Sequence, residues 1–329
     1  MNRILAENRT LIFILTGIVL LVGLAYGGTK FYLHHQVGKS VDAALAMIQP
    51  HANIEYSGIS STLGGELTVD GLRIRMHEFN DEIHIGQAGI KTANFIELMK
   101  MSDPGRLLRQ GPAERPKYIG VIAREIRFPV MADFHRAQYR KTIETLSPAD
   151  IRQGGVQCVG KYGHSPKALT ELGYEEMVMS TTVGLRQDDD SFTAEFDMDI
   201  ANMMRIEAAI EMKGNLPEVA MAQYPPILHD LQIKVTDQSL HQRIERYCTE
   251  LGLTPAQIER AHLAALQFLG SRFGIEFDEY IVNPYREFIG GKRELIVTAK
   301  PRRPIMLTSI GQYAASDVPA LLNLEGKAQ

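Results

Sequence analysis

The sequence predicts an α+β protein, with an N-terminal transmembrane helix followed by a mainly antiparallel β-sheet domain that carries a helical insert. Three observations predict it. Residues 10–29, TLIFILTGIVLLVGLAYGGT, contain no charged side chain. Between residues 175 and 236, apolar and polar residues alternate over four runs, the period of strands with one buried face. From 237 to 290 the apolar spacing becomes helical and cap residues mark the helix starts.

The uncharged run comes first. At about 1.5 Å per helical residue it spans roughly 30 Å, the hydrocarbon thickness of a bilayer. The leader, residues 1–9, carries Arg3, Arg9 and the free amine against Glu7. That bias places the N-terminus in the cytoplasm and exports the bulk. Ala25-Tyr26-Gly27 would suit a signal peptidase, but signal h-regions are shorter, roughly 7–15 residues. An uncleaved signal-anchor over 10–29 is therefore expected, with cleavage as the alternative. Residues 30–50 continue as a juxtamembrane helical stalk, because Leu33, Val37, Val41, Ala44, Leu45 and Ile48 recur at helical spacing.

Two β-rich parts follow, residues 51–146 and 147–329. In the first, NIEYSGISS, GELTVDGLRIRM and EIHIGQAGI read as strands. Within the second of these, Leu67 and Val69 alternate until Asp70-Gly71 shifts the phase to Leu72, Ile74 and Met76, the mark of a bulge or bend. TANFIELMKM is a short helix, YIGVIAREIRFPV a strand, and 132–146 a polar helix. Residues 147–172 are glycine-rich and read as loop.

The meander is cleaner. Met177, Met179, Val183 and Leu185 face one way, and Asp188-Asp189-Asp190 makes the turn. Phe192, Ala194, Phe196, Met198 and Ile200 alternate with Thr193, Glu195, Asp197 and Asp199. Met204, Ile206, Ala208, Ile210 and Met212 form the next run, and Leu231, Ile233 and Val235 the last. An antiparallel sheet with one apolar and one wetted face follows. The insert at 237–290 holds three helices, the first capped by Asp237 and the second opened by Thr254-Pro255-Ala256-Gln257. Strand ELIVTAK, the apolar run IMLTSI and a capped helix at DVPALL close the chain.

Chemistry is harder to find. A net charge of −4 gives no reason to expect nucleic acid as a partner. Residues 106–141 are predominantly basic, and this stretch suits anionic lipid headgroups. Cys158 and Cys248 form an even pair beyond the anchor, so export makes them a disulfide candidate. Gly38-Lys39-Ser40 lacks the earlier glycine of a phosphate loop, since position 33 is leucine. His241 and Glu245 share a helix face near Cys248 without further ligands for a metal. No catalytic residue, metal site or cofactor is expected. The candidate functional feature is an apolar, ligand-facing stripe of Met177, Met179, Val183, Phe192, Phe196, Met198, Ile206 and Ile210. Methionine adapts to irregular ligands such as acyl chains, and the alternative is that the stripe is plain core under the 237–290 helices.

Three stretches together resemble a known family: IEYSGISSTLGGELTVDGLRI after the stalk, LGYEEMVMSTTVGLRQDDDSFTAEFDMDI at the meander, and ELIVTAKPRRPIMLTSI…LLNLEG at the end. The pattern resembles the AsmA-like superfamily of bacterial envelope proteins, among its small uncharacterised periplasmic members. The resemblance implies an inner-membrane anchor, a curved sheet in the periplasm, and a part in lipid handling or envelope integrity. It supplies no catalytic residue. The expected function is therefore non-enzymatic binding of membrane lipid or of a membrane or envelope protein. A scaffold subunit of a membrane complex is the alternative, and an envelope hydrolase a more distant one.

Overall fold

The computed structural model describes residues 30, 33–39, 41–43, 45–101, 116–144, 159, 165–188, 190–214 and 226–329. The expected leader and membrane helix lie outside these residues, as do Cys158 and the first ten residues, 106–115, of the basic stretch 106–141. Among the described residues, no helix is long and apolar enough to cross a membrane. The stalk is helical at its described positions between 30 and 48.

The fold is α+β, built on one large open antiparallel sheet. Strands β1 (Ala52–Glu55) and β2 (Gly58–Ser61) both pair with β3 (Glu66–Met76). The sheet then continues in chain order through β4 (Glu82–Thr92), β5 (Tyr118–Pro129), β6 (Glu176–Gln187), β7 (Ser191–Ile200), β8 (Met204–Lys213) and β9 (Ile227–Asp237). Strand β10 (Glu294–Ala299) pairs with β9, the two-residue β11 (Ile305–Met306) adds to β9, and β12 (Leu324–Ala328) ends the sheet beside β10. Neighbouring strands are sequence neighbours almost throughout.

The helices are α1 (Phe95–Met101), α2 (Asp133–Glu144), α3 (Pro166–Glu171), α4 (Leu240–Glu250), α5 (Pro255–Arg272), α6 (Glu279–Ile289) and α7 (Val318–Leu322). Helix α3 falls in a stretch expected to be loop; Ser165 caps it by accepting from Ala168 N–H at 3.1 Å, and Pro166 starts it. The cap of α4 also differs from expectation. Its N-cap is Ser239, whose hydroxyl bonds the Asn202 carbonyl instead of the helix. Asp237 still satisfies an orphan donor from outside the helix, accepting from His241 N–H at 3.1 Å. Helix α5 opens as expected, with Thr254 N–H donating to Gln257 Oε1 at 2.8 Å. The run IMLTSI divides between β11 and a 3-10 helix over Leu307–Gln312. Asn323, at φ +48°, then turns the chain out of α7 into β12.

The phase shift at Gly71 extends well beyond β3. Gly71 (φ +62°) lies in line with Gly86 on β4, and Gly86 with Glu125 on β5, itself at φ +54°. On each of the three strands the apolar alternation slips by one residue at this row, so that Val69 and Leu72, Ala88 and Ile85, Ala123 and Ile126 share one face. The extra residue is common to β3, β4 and β5, and it therefore surfaces as a register shift only against β6, between Ala123 and Ile126. The seam keeps an apolar face continuous across strands that would otherwise turn it to water.

The opposite face is charged and laced across strands. Arg124 bonds Glu66 at 2.8 Å, Arg186 meets Glu195 at 2.6 Å, Arg205 meets Asp197 at 2.9 Å, and Lys234 meets Glu294 at 2.8 Å. The Arg124 hydrogen bonds hold the Glu66 carboxyl below the usual carboxylate range, against a smaller opposing effect of burial. These pairs are partly solvated, so they set register more than they add stability.

Candidate functional site

Among the described residues, the apolar face of the sheet is covered in three places. Near one end of β5–β8, helices α4 and α5 bury Phe128, Met177, Met203, Ile244 and Ile258 in the largest core. Toward the other end, α6 and α7 cover β9 and β10 with Ile281, Val318 and Leu322. On the far side, the stalk helix and α1 close over β3 and β4 through Leu33, Leu67 and Leu98.

Between these covers lies an uncovered strip. Its spine is one cross-strand row: Ile90, Val121, Val183, Phe196, Ala208, Ile233 and Val297 are successive partners from β4 to β10. The row's two ends pack under helices, while its second and third members, Val121 and Val183, are 59% and 50% exposed. Their neighbours Ile119 and Leu185, themselves partners, are exposed as well. Four aliphatic side chains on adjacent central strands thus meet solvent on the face that is elsewhere core. Their backbone groups pair within the sheet, leaving hydrocarbon as the floor.

The strip runs into a cavity of about 330 Å³ beneath the stalk helix, lined by Leu33, Val37, Leu67, Val69, Ile90 and Leu98 among others. Ile90 is the shared wall, since it is the cross-strand partner of Val121.

The expected stripe residues divide between core and strip. Met177 and Phe192 are buried, Met179 is half-buried against the α4–α5 core, and Ile210 packs against the α6–α7 core. Phe196, Met198 and Ile206 are half-buried on the same face, and Val183 is exposed. Sequence reasoning missed Ile119 and Val121 of β5. Their alternation in YIGVIA is legible, but their exposure depends on where the helical covers stop.

A second cluster, of titratable groups, joins β9 to the helices. His241 Nδ1 stands 3.2 Å from Asp237 Oδ1, and its ring lies 5.6 Å from that of buried His262. Tyr285 Oη is 3.4 Å from His262 Nδ1, and burial pushes the Tyr285 phenol up to about 12. Burial raises the Asp237 carboxyl, but the His241 backbone N–H that it accepts and the His241 ring beside it outweigh that and hold the group below its ordinary value. A polar hollow of about 290 Å³, lined by His241, Glu245, Lys292 and Arg293 among others, opens beside it. Among the described residues, no group of three or more His, Cys, Asp or Glu is placed to hold a metal. Cys248, fully buried on α4, is disulfide-bonded and so offers no thiolate. Its expected partner, Cys158, lies outside the described residues.

A family model described as "Uncharacterized protein" matches residues 185–329, from the end of β6 to the C-terminus. No curated protein and no solved structure matches the chain.

Proposed function

We propose that this chain is a single-pass protein of the bacterial envelope that holds membrane lipid by its acyl chains, with no chemical step. Residues 10–29 are its inner-membrane anchor, residues 1–9 lie in the cytoplasm, and the sheet domain lies in the periplasm. The AsmA-like resemblance belongs to this proposal, including the curvature it implies for the sheet. One observation carries the reading: the strip of Ile119, Val121, Val183 and Leu185, left open on a face that is otherwise core. Contiguous exposed apolar area on a folded domain marks a binding surface.

The nature of the floor favours lipid over peptide. A peptide laid there would bury amides with no partner, at a cost of roughly 1–3 kcal/mol each. An acyl chain has no polar group to satisfy. The cavity under the stalk also begins at Leu33, four residues after the uncharged run ends at Thr29. A lipid leaving the outer leaflet of the inner membrane would meet this surface first.

Native mass spectrometry of the full chain released from membranes tests the proposal. Lipid should co-purify with the wild type and be lost from Val183→Asp, with the thermal melt unchanged. A wild type free of lipid but bound to a stoichiometric protein partner would replace lipid binding with the scaffold role. A reporter fused after Gln329 should be active only in an exported compartment, and cytoplasmic activity would reverse the topology.

A further inference from the structure

Strand β12 ends the sheet with a single strand neighbour, β10, among the described residues. Gln329 N–H donates to the Glu294 carbonyl at 3.0 Å, and Glu294 N–H returns the bond to Gln329 at 3.0 Å. In an antiparallel ladder this mutual pair sets the alternation. The backbone groups of Glu325 and Lys327 therefore turn toward β10, and those of Leu324, Gly326 and Ala328 turn outward. A row of outward N–H and C=O groups is a template for another strand.

The side chains on this edge are specific. Glu325 and Lys327 are exposed and lie opposite Thr298 and Ile296, on the charged face of the sheet. Gly326, between them, lies opposite Val297 on the apolar face. A Cβ at Gly326 would stand 2.9 Å from the Tyr280 carbonyl, so α6 comes down directly over this residue. The Tyr280 side chain is 72% exposed, as is Phe273 at 71% just beyond the end of α5.

We propose that β12 pairs antiparallel with β12 of a second copy of this chain, about a twofold axis through Gly326. Charge selects this arrangement. Under that axis Glu325 of each strand faces Lys327 of the other, so the ion pair forms twice. Gly326 would form the hydrogen-bonded pair on the axis. The Glu–Lys pairs would fall at non-hydrogen-bonded positions, where opposed side chains come closest. Charges on an edge strand ordinarily repel a second strand; here the two charges are opposite, and the edge complements itself. An in-register parallel pairing would set Glu on Glu and Lys on Lys. The twofold contact is also closed, with the same patch used on both sides. Tyr280, whose backbone carbonyl overlies Gly326, leaves an exposed aromatic residue on the apolar side of the joint.

The test is the mass of the full chain in detergent, by light scattering corrected for detergent. The wild type should be a dimer. Lys327→Glu sets like charges opposite each other at both pairs and should weaken the dimer about tenfold or more. Adding Glu325→Lys to that variant restores opposite charges and should restore the dimer. Ala328→Pro removes one outward N–H while leaving the ladder to β10 intact, and it too should give monomers. Thermal melts near wild type confirm that each variant is folded. A monomeric wild type, a dimer indifferent to Lys327→Glu and to Ala328→Pro, or a charge-swapped variant that stays monomeric would each overturn the proposal. So would a wild-type monomer whose β12 edge is taken by a different protein.

Discussion

The backbone N–H of Glu125 donates to Ser180 Oγ at 3.1 Å, and this bond lies where β5 carries one residue more than β6. It closes the seam that begins at Gly71 and crosses Gly86. Glu125 occupies a left-handed conformation that costs a non-glycine residue roughly 1–2 kcal/mol. Glu125→Gly should therefore leave stability unchanged or raise it by up to about 1 kcal/mol. Gly71→Ala should do the reverse, because φ is +62° and the new Cβ would meet Ser57 Oγ at 2.5 Å. A loss of about 1–2 kcal/mol is expected, read from urea unfolding midpoints. Equal stability of Gly71→Ala and wild type would remove the seam's structural role.

The divided stripe gives a paired prediction. Met177 is buried against Phe128 and Ile258, and Met177→Asp leaves a carboxylate there without a partner. The domain should lose its cooperative melt, since such burial costs several kcal/mol. Val183 is half exposed on the same strand, and Val183→Asp should melt within about 0.5 kcal/mol of wild type. If both variants unfold, the strip is covered in solution.

Asp237 provides a pH test. Its folded carboxyl holds a proton less tightly than the unfolded one, owing to His241. The group therefore adds stability above the ordinary carboxylate range, and that contribution is lost as pH falls through its folded value. Asp237→Asn keeps an acceptor oxygen but loses the charge, and should cost up to about 1 kcal/mol at neutral pH. The gap from wild type should narrow as pH falls below the ordinary carboxylate range. A gap that is independent of pH would mean that Asp237 acts by packing alone.

The disulfide at Cys248 should join Cys158, the other cysteine of the chain. Peptide mapping without reductant should recover the two peptides linked. Reduction should cost about 2–5 kcal/mol, and reduction without any change in the melt would show the bond to be structurally idle.

Much of this architecture is legible in the sequence because it depends on neighbours along the chain. Strand periodicity from Met177 to Val235 reports which face meets the core, and the slip at Gly71 announces a left-handed residue. The capping pair Thr254 and Gln257 acts within one helical turn, so it reads directly. The same slip on β4 and β5 leaves less trace in the sequence. Gly86 carries it as glycine often does, but on β5 it falls at Glu125, a residue that gives no local sign of positive φ.

Other features are set by tertiary packing. Val183 and Met177 belong to one alternating run, yet one lies open and the other is core, because α4 and α5 reach only part of the sheet. Nothing in YIGVIA distinguishes an exposed Val121 from a buried one, since hydrophobicity states a preference for burial and the length and position of distant helices decide where burial ends. Ser239 holds the N-cap position of α4, but its hydroxyl bonds the Asn202 carbonyl, which leaves the His241 N–H to Asp237. The edge at β12 is likewise a fact of the sheet order, because five residues reading LEGKA become an outward template only when β10 occupies their other side. Local spacing determined which segments are strands and helices and which of their faces are apolar; the contacts between distant segments decided which apolar residues stay in water.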